Sequence, residues 1–424
     1  MSAEEKNRRI RPPRRRTRPA HALDSLCAIL RLGASPADLA GLREAMQQGL
    51  IGWDATAALA SQHLLLSAIW PALAEKNLAA PMPHELRRYL SQRVERQGQG
   101  KNFLMALEDM YLANAARNAQ IRIQALNAIA ALNGAGIEPA ALKGTRLLLN
   151  GDSPFRRGRL LRDIDLVIAA GDWETARAAL RERGYREAGA SAHAASFIAA
   201  GATVEIDLHR RPLSLHAPAD LPGYLTEEGF WGRTIAIDLP AHQCRQLPPG
   251  ESLVHSILHT EVADLNFAAG DWPLRYLYET AATTRDPTIR LDWSVVNDLA
   301  DNHLSLPLRA HLYAANRLFD GALGEGFAGS WRLSRHFGRC RANARHPRSI
   351  RRLGILVHKL RQAMAPWYLA RKGFLAADAG AAKAPGGLWR ARRRALADLL
   401  GRHGRRLPKL LFGADEDSVP PPRV

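Results

Sequence analysis

The feature that most constrains this chain is Asp163-Ile164-Asp165, followed directly by Leu166-Val167-Ile168. Side chains on a β-strand alternate between faces, so the two carboxylates of such a strand project together while Ile164 and Leu166 turn into a core. Two carboxylates that close raise each other's pKa unless a cation lies between them. A hard divalent ion takes oxygen ligands and keeps positions open for water and phosphate oxygens, so the pair predicts a metal-binding strand edge.

The flanking segments extend this reading. Upstream, Lys143-Gly144-Thr145 follows the apolar Ala140-Ala141-Leu142 and is expected to be the turn leaving a strand, with backbone N–H groups available to a phosphate. Downstream, Val204-Glu205-Ile206-Asp207-Leu208-His209 is again strand-like, with Glu205 and Asp207 on one face. Asp163, Asp165 and Asp207 together would hold two metal ions, the arrangement that clamps both the attacking and the leaving oxygens of a phosphoryl or nucleotidyl transfer. Glu205 is the alternative third carboxylate.

Together the Lys-Gly-Thr turn, Arg159 four residues before the Asp-Ile-Asp-Leu strand, and the later Glu-Ile-Asp-Leu-His strand resemble bacterial nucleotidyltransferase-like proteins of the DNA polymerase beta-like superfamily. The resemblance is tightest over residues 137–210. It implies transfer of a nucleoside monophosphate from an NTP to an acceptor, with release of pyrophosphate and two Mg²⁺ ions as cofactor. It further implies that Asp163 and Asp165 are ligands of both metals and that Asp207 is the third ligand and helps deprotonate the acceptor. Glu205 would replace Asp207 if the register differs by two. Gly144 and Thr145 would form the phosphate-binding turn, with Lys143 and Arg159 as cationic contacts to the triphosphate. The chain departs from the family pattern in having Thr145 where Gly or Ser is usual. It also has a longer turn-to-Asp spacing, which carries Arg156, Arg157 and Arg159.

Periodicity and turn signals give an α+β fold, a small mixed sheet flanked by all-helical regions. The expected layout is a disordered basic arm at 1–21, a helical region at 22–133, an α/β core at 134–240, a second helical region at 241–412 and a disordered tail at 413–424. Within the first helical region, Ser35 reads as an N-cap with Pro36 in the first turn, and residues 54–73 carry a helical apolar repeat. A long helix over 102–132 stops at Asn133-Gly134. In the core, a helix over 172–183 precedes short strands at 185–187 and 196–200, and 233–239 alternates as a further strand. Beyond it, Pro249 opens a helix holding His255 and His259, read as packing or acceptor-pocket residues because the Glu of a zinc-protease helix is missing. The segment from Asp271 to Leu277, with its Trp-Pro-Leu-Arg run, looks like one that recurs in the resembled family.

With 424 residues the chain is long enough for two or three domains. It lacks an apolar run of the roughly 18–20 residues that would span a bilayer. The charged first eighteen residues lack a following apolar segment, so a secretory signal is not expected. Three widely separated cysteines, Cys27, Cys244 and Cys340, support neither a disulfide framework nor a zinc site, and a cytoplasmic location is expected. The 59 Lys+Arg against 41 Asp+Glu, a net +18, favour polyanions, and much of the excess sits near the ends. Two other functions share these features. One is a catalytically inactive nucleotidyltransferase-like module that recruits nucleic acid or a protein through its basic termini. The other is a hydrolase that uses the same metals on a phosphodiester.

Overall fold

The computed structural model describes residues 19–78, 103–151, 154–190, 194–213, 221–299, 304–324, 327, 329–344 and 393. Among them are fifteen helices and one mixed sheet of seven strands, ordered β3-β4-β5-β2-β1-β7-β6. The expected terminal tail lies outside the described residues, as do the arm as far as Arg18 and, apart from Arg393, the second helical region beyond residue 344.

Helix α1 (Pro19–Leu30) begins three residues before the expected end of the arm, because proline is tolerated in the first turn, where its missing N–H costs nothing. The Ser35 cap is present at α2 (Pro36–Gln47), where its hydroxyl and the Asp38 carboxylate form a reciprocal capping box. The apolar repeat of residues 54–73 is not one helix. It divides into α3 (Trp53–Gln62) and α4 (Leu66–Glu75), bent by 120°, and Leu64 between them takes a left-handed φ of +56°. The long helix is α5 (Phe103–Gly134). Its end is closed by the Asn133 side chain, which donates to the Ile137 carbonyl.

The sheet follows. Strand β1 (Ala140–Ala141) leads into α6 (Lys143–Leu149) and α7 (Pro154–Gly158), then β2 (Asp163–Val167), α8 (Trp173–Glu182), β3 (Arg186–Ala190), β4 (Ala194–Ile198) and β5 (Glu205–His209). After α9 (Glu227–Arg233) come the short strands β6 (Ile235–Ala236) and β7 (Arg245–Gln246). The strand expected over 233–239 is thus only two residues long, because α9 takes Arg233 and only two residues pair with β7. The Lys-Gly-Thr segment also differs from expectation. It is the first turn of helix α6 rather than a free turn, with extended Leu142 as the N-cap residue.

The chain closes with α10 (Pro249–Leu258), a π-turn (His259–Ala263), α11 (Asn266–Ala269), α12 (Leu274–Arg285), α13 (Ser294–Asn297), α14 (Ser305–Phe319) and α15 (Trp331–Asn343). Ile164, Leu166, Ile206 and Leu208 bury one face of the sheet against Ile121, Ile129 and Leu132 of α5 and Leu180 of α8. On the other face Ala140, Leu142 and Val167 pack against Val254, Ile257 and Leu258 of α10 and Leu308 and Leu312 of α14. A third cluster joins Leu26 and Ile29 of α1 and Ile69 and Leu73 of α4 to Leu277 of α12 and Phe319 of α14. Cys27, Cys244 and Cys340 are buried free thiols. No single helix among the described residues is long and apolar enough to cross a membrane.

Candidate active site

Parallel pairing of β2 with β5 sets Asp163 opposite Glu205 and Asp165 opposite Asp207. All four carboxylates therefore belong to one face, as alternation requires once both strands are in register. They differ sharply in environment. Asp165 is 2% exposed, Asp163 and Asp207 are half-buried, and Glu205 is exposed at the start of its strand.

Asp165 is the most constrained. Its Oδ1 meets Lys143 Nζ at 2.7 Å and His209 Nε2 at 2.9 Å, and its backbone N–H donates to the Thr145 hydroxyl at 2.8 Å. Burial opposes its charge, yet Lys143 and the hydrogen-bonded His209 hold the carboxyl well below the usual carboxylate range. The effect on Lys143 is reciprocal. Burial would depress its amine, but the Asp165 charge and hydrogen bond outweigh it and raise the pKa. Asp163 is pushed the other way, its pKa raised by burial first and by the charge of Asp165 second. Asp207 is oriented by Ser196 of β4, whose hydroxyl donates to Oδ1 at 2.6 Å.

The Lys-Gly-Thr segment is also fixed by its packing against β2 and Arg159. Lys143, not Gly144, has the left-handed backbone, with φ +44°, a conformation costly for a residue with a side chain and retained where the surroundings enforce it. Gly144 is glycine for space, since a Cβ there would lie 2.5 Å from Leu161 Cδ2 and 2.9 Å from an Arg159 guanidinium nitrogen. The Thr145 hydroxyl is 1% exposed and used in holding β2.

Arg159 is buried and its Nη1 is ion-paired with Glu279 Oε2 of α12. Its carbonyl is held by the side-chain amides of Asn114 and Asn118 of α5. Four residues before Glu279 on the same helix, Arg275 donates to the Tyr276 hydroxyl at 2.7 Å and comes within 3.7 Å of Glu279 Oε1. Lys143, Asp163, Asp165, Asp207, Arg275 and Tyr276 all line an open cleft of about 590 Å³, with Arg159, Glu205 and His259 also on its wall. His255 lies behind, 1% exposed, with Nε2 on the Pro212 carbonyl at 2.7 Å.

Among the described residues, Asp165, Asp207 and His209 are the group that could jointly hold a metal ion, each offering one ligand atom within 4.8 Å of the others. Two carboxylate oxygens and an imidazole nitrogen suit a divalent cation. Of the sequence-derived candidates, Asp163, Asp165, Asp207 and Lys143 come together here. Glu205 lies at the rim, Gly144 and Thr145 act in packing, and Arg159 is engaged by Glu279. Four residues at the site were not singled out from sequence. His209 follows Asp207 by two, so strand parity gave a signal for it. Arg275 and Glu279 stand at helical i,i+4 spacing, a weaker signal. Ser196 gave none, since only the β4–β5 pairing brings it to Asp207.

A family model described as an uncharacterised nucleotidyltransferase matches residues 50–320. No curated protein and no solved structure matches the chain.

Proposed function

This chain belongs to that uncharacterised nucleotidyltransferase family, and from that premise we propose that it transfers a nucleoside monophosphate from an NTP to an acceptor at the acidic cleft, in the presence of Mg²⁺. The observation that carries the reading is the β2–β5 register, which stands Asp165 beside Asp207 on the face that bears Asp163, in a cleft also lined by Lys143 and Arg275. A bound Mg²⁺, held by Asp165 and Asp207 with Asp163 beside them, would supply the Lewis acidity that polarises the α-phosphate and takes up charge on pyrophosphate.

The chain's own groups do the rest. Asp207, fixed in orientation by Ser196, accepts the proton of the acceptor hydroxyl. Lys143 and Arg275 meet the triphosphate as cations, and Arg159, committed to Glu279, positions α12 rather than touching phosphate. The cleft walls hold the acceptor in line, converting an encounter into a unimolecular step.

One observation favours a second reading, a catalytically inactive binding module. Asp165 already has two donors on a single oxygen, Lys143 and His209, so its charge is balanced without a metal. The two readings separate when protein, α-labelled NTP, Mg²⁺ and candidate acceptors are incubated together. Catalysis predicts Mg²⁺-dependent label transfer that falls by on the order of 10²-fold or more in the Asp163→Ala, Asp165→Ala double variant. Transfer unchanged in that variant excludes the assignment. Label released without an acceptor identifies a hydrolase.

A further inference from the structure

We propose that His209 is a nitrogen ligand of the metal site and makes it prefer a transition-metal dication such as Mn²⁺ to Mg²⁺. The inference rests on the nucleotidyltransferase reading only in requiring that a divalent ion bind at the acidic pair.

Three observations carry it. First, β5 puts Asp207 and His209 on one face, and β2 pairs Asp165 with Asp207 two residues before the Val167–His209 pair, so the imidazole leans back over Asp165. Its ring is partly exposed, which leaves room for exchange with solvent. Second, Nε2 lies 2.9 Å from Asp165 Oδ1. Two ligand atoms each about 2.1 Å from a metal and at right angles to one another stand about 3.0 Å apart, so a cation can take the place of the proton now shared between them. The Asp207 carboxylate completes a set whose ligand atoms all fall within 4.8 Å.

Third, charge balance does not account for the histidine. Lys143 already meets the same Asp165 oxygen at 2.7 Å, and a second donor on that atom adds little neutralisation. A metal ion there, by contrast, would use the Nε2 nitrogen together with the two carboxylates, whose ligand atoms already converge. Imidazole nitrogen suits transition dications, Zn²⁺, Fe²⁺ and Ni²⁺ most and the usually oxygen-ligated Mn²⁺ less, whereas Mg²⁺ takes oxygen ligands and demands near-ideal octahedral geometry. A carboxylate, carboxylate, imidazole set therefore selects against Mg²⁺ in a way that four carboxylates would not.

The test uses the full-length protein with Mn²⁺ as the probe, pulsed electron paramagnetic resonance to detect a directly coordinated nitrogen, and calorimetric competition with Mg²⁺. The wild type is expected to show nitrogen coupling. His209→Asp, an all-oxygen site, is expected to keep saturable Mn²⁺ binding, lose the coupling and lower the Mn²⁺-to-Mg²⁺ affinity ratio by on the order of 10- to 100-fold. His259→Gln is expected to keep the coupling, since His259 lines the cleft wall but is not among the three residues whose ligand atoms converge. Saturable Mn²⁺ binding to the wild type without nitrogen coupling, or coupling that survives in His209→Asp, overturns the inference while leaving the nucleotidyltransferase reading intact. No saturable divalent binding to the wild type overturns both.

Discussion

Glu279 connects two arginines of the cleft wall, holding Arg159 through Oε2 and approaching Arg275 through Oε1. Removing one member of a buried ion pair leaves an uncompensated charge and typically costs about 3–5 kcal/mol. Glu279→Gln is therefore expected to lower the unfolding midpoint in denaturant and, by releasing Arg275, to raise the KM for NTP more than it lowers kcat. A variant with wild-type stability would mean that Arg159 is not held by Glu279. At this scale the sequence was informative wherever strand parity applied. Asp163 with Asp165 and Glu205 with Asp207 share faces because alternate residues of a strand must, and His209 obeys the same parity. Partnerships that depend on which strands are neighbours could not be read. Neither Ser196 on Asp207 nor Thr145 on the Asp165 amide has any signature in local sequence, so the expected phosphate contact at Thr145 gave no hint that its hydroxyl also holds β2.

Helices were legible where their ends are chemically marked. The Ser35 cap and the Asn133 stop of α5 were each read from residue type. The break between α3 and α4 escaped because its pivot is Leu64, a residue that rarely adopts a left-handed backbone. Helix α10 supports a prediction at this scale. Its His255 is buried beneath the cleft, and burial, then the neighbouring His259, depress its pKa from 6.5 to about 3, against the pull of the Pro212 carbonyl. The folded protein therefore resists a proton that the unfolded chain accepts. The stability from a neutral His255 is complete above pH 6.5 and is lost as pH falls from there toward 3, a loss that can reach a few kcal/mol. Urea unfolding between pH 7 and 4 should show stability declining with acid, with a shallower slope in His255→Gln, whose amide can also donate to Pro212. An unchanged slope would assign the acid sensitivity to other groups, among them His336, whose pKa burial lowers to about 4.

Over the whole molecule, the sheet and its covering do not come from the same stretch of chain. Residues 134–240 contain all of β1 to β6, and composition and periodicity mark them as an α/β core. That stretch supplies part of its own cover, Leu180 on one face and Tyr224 and Phe230 on the other, but many of the apolar side chains that close both faces lie elsewhere. Ile121, Ile129 and Leu132 come from α5 on one side, and Val254, Ile257, Leu258, Leu308 and Leu312 come from α10 and α14 on the other. A sheet with two apolar faces needs both covered, and periodicity reveals that a face is apolar without revealing what lies on it. The helices before and after the sheet are likewise joined to each other, since α1 and α4 share a core with α12 and α14, and α12 carries Arg275 and Tyr276 to the cleft. An isolated 134–240 fragment is therefore expected to bind a hydrophobic dye, to lack near-ultraviolet circular dichroism and to unfold without a cooperative transition, the behaviour of a collapsed chain without fixed packing. A 19–344 fragment, which keeps all three clusters, is expected to unfold cooperatively and to retain the divalent-ion affinity of the full chain. Cooperative unfolding of 134–240 alone would show that the sheet needs no external cover, and the helices would then serve the acceptor side of the cleft without also completing the fold.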